Sequence, residues 1–73
     1  MKFDEFKADI QYEADLLCAE VKRSAALEEL PKKQFDEEAL RKWQKHQDNI
    51  DKIIYSIRDL VREYSNGIKR KEE

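Results

Sequence analysis

The sequence predicts an all-α protein, an antiparallel two-helix hairpin that pairs into a four-helix bundle as a homodimer. Three observations point there. Ala, Glu, Lys, Leu and Arg make up about half of the 73 residues, with a single Gly and a single Pro, so long helices are favoured and the turns of a sheet protein are not supplied. Apolar residues recur every three or four positions in two segments separated by that one proline. Finally, the chain is too short for one core to supply more than ~3–5 kcal/mol, and chains of this size gain stability from disulfides, a metal, regular packing or a partner. Cys18 is the only cysteine and His46 the only histidine, so an intrachain disulfide and a Cys/His zinc cluster are excluded. Regular packing and association remain.

The chain reads as one helical hairpin domain over residues 1–73. Helix 1 is expected from about Asp4 to about Leu30, with Phe3, Phe6, Ile10, Ala14, Leu17, Val21 and Ala25 along its stripe. Asp4 is the expected N-cap and Glu5 lies at the positive end of the helix dipole. Pro31 ends the helix, because it disfavours helical geometry in the residue before it and lacks a backbone N–H. Residues 31–35 form a joint of the length that sets neighbouring helices antiparallel.

Helix 2 is expected over 36–66. Asp36 caps it, Glu37 and Glu38 suit its first turn, and Phe35 is placed to staple against Leu40. Asn66-Gly67 offers a left-handed stop, leaving 67–73 as a charged tail. Trp43, Ile50, Ile57 and Tyr64 repeat at seven residues, Ile53 and Leu60 occupy a second seam position, and Gln47, Ile54 and Val61 an adjacent one. That face is wider than one partner helix covers, which predicts contact with at least two. On helix 1, Tyr12, Leu16, Ala19, Ala26 and Leu30 form a weaker second apolar surface, available to another chain. Acids concentrated in residues 1–20 are expected to face Arg58, Arg62 and the basic residues of the tail.

No catalytic, cofactor or metal site is expected. His46 falls on the inner stripe of helix 2, as a packing or polar-network residue, and Cys18 is expected to be a buried small hydrophobe beside Leu17 and Ala19. One glycine excludes a Gly-rich phosphate loop, and no Glu-x-x-His pair suggests a di-iron bundle. The first ten residues carry acids where a secretory signal needs an apolar run, so a reducing compartment, most simply the cytoplasm, is the default expectation, which a lone cysteine does not oppose. A membrane role would need Lys and Arg lining a strongly apolar face, which neither helix has.

The functional expectation is a non-enzymatic protein–protein interaction module, a small regulator, inhibitor or adaptor that binds itself or a larger protein through helix faces. Its partner-binding candidates are Phe6, Tyr12, Leu16, Ala19, Trp43 and Tyr64, because buried aromatics dominate such interfaces. The alternative is a nucleic-acid-associated regulator using the basic hairpin tip, where Lys32, Lys33, Arg41, Lys42 and Lys45 surround Trp43. Glu28, Glu29, Asp36, Glu37 and Glu38 in the same stretch oppose it, as does the net charge of −2.

Overall fold

The computed structural model describes residues 2–72, with side chains for 2–68. Its two helices, α1 (Phe3–Glu28) and α2 (Glu37–Glu72), pack against each other as a hairpin with no strand among the described residues. The rod measures 60 × 16 × 12 Å. A second hairpin, and with it a four-helix bundle, is not part of this structure.

The start of α2 follows local chemistry closely. Asp36 Oδ1 accepts a hydrogen bond from the Ala39 N–H at 3.0 Å, and the Asp36 carbonyl accepts the first helical bond from Leu40 N at 2.9 Å. Phe35 and Leu40 line one concavity, as a hydrophobic staple requires. Asp36→Ala should therefore lower stability by about 1 kcal/mol, read from urea unfolding, since the N3 amide loses its acceptor.

Three boundaries differ from expectation. At the start of α1 the N-cap is Lys2, whose carbonyl accepts from Phe6 N, and it makes no side-chain cap; Asp4 and Glu5 lie inside the first turn, where they still complement the dipole. At its end α1 stops at Glu28, with Glu29 N bonded to the Ala25 carbonyl and Leu30 N to that of Leu27. The connection therefore spans 29–36 rather than 31–35, held by the Pro31 carbonyl, which accepts from both Gln34 N and Phe35 N. The third difference is larger. The expected stop at Asn66-Gly67 does not form: Gly67 has no positive φ and the helix continues to Glu72. Glycine inside a helix costs about 1 kcal/mol. Here Ile68 continues an apolar row, and the Lys, Arg and Glu that follow favour helix, so the chain has no reason to turn. Of the expected tail, Glu73 and the side chains of 69–72 lie outside the described residues.

Very little of this hairpin is interior. Ala39, 8% exposed, is its one buried apolar residue and Ser24, 3% exposed, its one buried polar residue among those described. Both face the other helix: Ser24 accepts from Gln47, and Ala39 lines a concavity with Leu27 and Leu30. The larger seam residues Phe6, Ile10, Leu17, Trp43, Ile50, Ile53, Ile57, Leu60 and Tyr64 are only half-buried.

A candidate interaction face

The seam that joins the helices has an aromatic end and a polar middle. At the end remote from the connection, Phe6 stacks on Tyr64 with ring centroids 4.3 Å apart and planes at 12°, and Phe3 approaches the same ring at 6.2 Å. Nearer the connection, polar groups meet across the helices. His46 Nδ1 donates to Glu20 Oε2 at 2.6 Å, and Gln47 Nε2 donates to Ser24 Oγ at 2.6 Å. Arg23 adds a 3.1 Å bond to Glu20 Oε1. The His46 hydrogen bond holds the Glu20 carboxyl below its ordinary value, with help from Asn49 and Arg23 and against partial desolvation. No buried polar side-chain atom among the described residues lacks a partner. The helical stripe of His46 is a legible signal for this layer; Glu20 and Ser24 are not, because a glutamate or serine on an amphipathic helix has the same pattern whether it faces solvent or a partner.

On one flank of this seam the structure leaves an apolar row uncovered. Leu40, Ile54, Val61 and Ile68, with Gln47 between the first two, repeat at seven residues along α2 and are 40%, 42%, 45% and 40% exposed. Together with Trp43, Ile50, Ile57 and Tyr64 they alternate in steps of three and four, the a/d pattern of a coiled-coil seam. α1 covers the Trp43-to-Tyr64 row and the row of His46, Ile53 and Leu60 beside it. Because each residue turns the helix by about 100°, the Leu40-to-Ile68 row projects to one side of the hairpin. In an antiparallel pair, Phe3 and Val21 of α1, 59% and 48% exposed, project to that same side. Cys18 lies on this flank too and is exposed, correcting the expectation that it is buried: it sits too far around α1 for a single partner helix to reach.

The opposite side of the hairpin has another chemistry. Tyr12, 65% exposed, shares a groove with Asp9, Glu13, Ser56, Asp59, Leu60 and Glu63. Leu16 and the half-buried Ala19 follow Tyr12 on α1. Acids of α1 thus lie beside acids of α2, and both Lys/Arg ion pairs among the described residues, Arg23 with Glu20 and Lys42 with Glu38, are within one helix. The expected facing of α1 acids by Arg58 and Arg62 is absent, because the helical turn carries those arginines to the outer side of α2.

Of the partner-binding candidates, Phe6 and Tyr64 are thus engaged with each other, whereas Tyr12 and Leu16 are open. Trp43 is half-buried, and its Nε1 donates to Glu28 Oε1 at 2.9 Å. At the tip, Trp43, Leu40, Phe35, Leu30, Glu28 and Lys32 line an open concavity of about 440 Å³. Of the basic candidates, Lys32 lines that concavity, Lys42 is 3.6 Å from Glu38, and Lys33, Arg41 and Lys45 are exposed. Among the described residues no three His, Cys, Asp or Glu side chains gather to hold a metal ion, and no helix is long and apolar enough to cross a membrane. Comparison with protein-family models, with curated proteins and with solved structures yields no match.

Proposed function

We propose that this protein is a non-enzymatic protein–protein interaction module, a small cytoplasmic regulator or adaptor that is half of a helical bundle and docks its uncovered apolar face on other helices. A homodimeric four-helix bundle is the simplest assembly of this kind. One observation carries the reading: a regular a/d seam runs the length of α2, and α1 covers only one of its two rows. A hairpin with a single buried apolar residue among those described gains little from its own core, so helices laid over the second row add the burial that α1 does not supply. The face that carries Tyr12 is less suited to this role, because Asp9, Glu13, Asp59 and Glu63 border it and a docked helix would leave their charges crowded and partly desolvated.

Two double variants test the reading. Wild-type chain held on a support should retain its helical partners, free copies of itself included. Ile54→Glu with Val61→Glu should abolish retention, since each places a charge in the dry centre of the face. Tyr12→Glu with Leu16→Glu should retain as the wild type does. Undiminished retention by the Ile54/Val61 variant would refute the assignment of this face.

A further inference from the structure

We infer that the occupant of the uncovered face is a second copy of this chain, laid antiparallel with α2 on α2 about a two-fold axis near Ile54. The inference rests on the docking face proposed above and specifies its partner and register.

Charge complementarity carries it. The outer border of the uncovered row holds Asp48 and Asp51 on the connection side of Ile54 and Arg58 and Arg62 on the other, with Tyr55, 65% exposed, between them. None of these four charged side chains is in an ion pair among the described residues. These four charges are antisymmetric about Ile54; Arg41, one repeat before Asp48, lies beyond them toward the connection. Reversing the direction of a second α2 brings its arginines to the acids of the first and its acids to the arginines of the first, Asp51 against Arg58 and Asp48 against Arg62, each twice. A parallel copy, related by an axis along the helices, would instead turn each stripe toward the α1 side of its mate, away from its complement. Placing α2 on α1 of the second copy would leave the stripe without its complement.

The apolar row agrees with the same axis. With Ile54 on its own symmetry mate, Val61 meets Gln47 and Ile68 meets Leu40. Gln47 can tolerate an apolar neighbour because its amide is turned inward to Ser24, leaving its methylene stem on the row. Ile68 of the second copy arrives beside Leu40 at the tip concavity, whose other walls include Leu30, Phe35 and Trp43 and whose 440 Å³ volume accepts a branched side chain. The available area also suffices. One broad face of a rod 60 Å by 16 Å is on the order of 1,000 Å², against about 800 Å² per partner in a standard stable interface. The other broad face offers a copy only acids against acids around Tyr12.

The test begins with absolute mass by light scattering behind size exclusion at low salt. A mass near twice 8.8 kDa is expected. A monomer at high micromolar concentration would overturn this inference; if such a monomer still lost its retained partners through Ile54→Glu with Val61→Glu, the docking face itself would stand with a different occupant. Register is then read with the swap variant Asp48→Arg, Asp51→Arg, Arg58→Asp, Arg62→Asp, whose stripe is again antisymmetric. Mixed with wild type and followed by native mass spectrometry, the two chains should sort into homodimers, because an antiparallel mixed pair opposes like charges. Mixed dimers at or above the statistical share, as for α2 on α1 or for a parallel pair, in neither of which the two stripes meet, would overturn the register. Should the swap variant fail to fold, single-cysteine chains on a Cys18→Ser background give the same answer: Leu40→Cys and Ile68→Cys chains should crosslink severalfold more when mixed than either does alone. The reverse result would overturn the antiparallel pairing.

Discussion

Truncating Tyr64 to Ala should lower the unfolding free energy by about 2–3 kcal/mol, whereas Tyr12→Ala should change it by no more than about 0.5 kcal/mol. Both are tyrosines on amphipathic helices, and what separates them is the partner each ring has. Tyr64 is half-buried, stacks on Phe6 at 4.3 Å and is approached by Phe3 at 6.2 Å, so its removal takes apolar burial and an aromatic pair from the open end of the rod. That end has no connecting segment to hold the helices together, and its closure depends on these three rings. Full burial of an aromatic side chain would put the loss at about 3–5 kcal/mol; partial exposure brings it down, and the lost stack contributes about 0.5–1.5 kcal/mol of the remainder. Tyr12 is 65% exposed and closes nothing. Urea unfolding of the two variants followed by helical ellipticity checks the contrast, and equal midpoints would show that the aromatic clamp does not hold the hairpin shut.

The hairpin itself is legible in the sequence because each of its determinants is local. Pro31, the Asp36 cap and the Phe35 staple act within one or two turns, and the seven-residue repeat of Trp43, Ile50, Ile57 and Tyr64 identifies the seam without knowledge of the partner. The excess width of the α2 stripe is legible for the same reason, and the exposure of Ile54 and Val61 is its structural counterpart. What the pattern does not contain is the relative rotation of the two helices. That rotation decides that Cys18 is outside, that Arg58 and Arg62 turn away from α1, and that Glu20 and Ser24 face His46 and Gln47. A difference of one step around the helix changes each of these while leaving every periodicity intact. The missed stop at Asn66-Gly67 has another cause. Those two residues form a left-handed cap only where the chain leaves the helix, and here Ile68 extends the apolar row for one more repeat.

Acid should loosen the hairpin at its polar layer, and the sign follows from Glu20. Its carboxyl is held below the ordinary value of 4.5, chiefly by the hydrogen bond from His46. A carboxyl whose folded value is depressed stabilises the fold at pH above the ordinary carboxylate range, and that contribution is lost as pH falls through the lowered value. The thermal midpoint should therefore drop as pH is lowered from neutral through and below the ordinary carboxylate range, where protonation removes the charge that His46 and Arg23 address. Glu20→Gln keeps the shape and an acceptor but not the charge, so it should begin with a lower midpoint at neutral pH and lose less of it across the same interval. Since Glu20 and His46 side chains are 14% and 22% exposed, added salt should weaken this dependence less than it weakens the pair of Lys42 with Glu38, 62% and 78% exposed. Melts followed by ellipticity across that interval decide the matter: parallel curves for wild type and Glu20→Gln would mean that acid acts through other carboxylates. A larger acid response in the wild type would locate the effect where Glu20 of α1 accepts from His46 of α2, one step from the Gln47 and Ser24 contact that turns the polar end of the uncovered row inward.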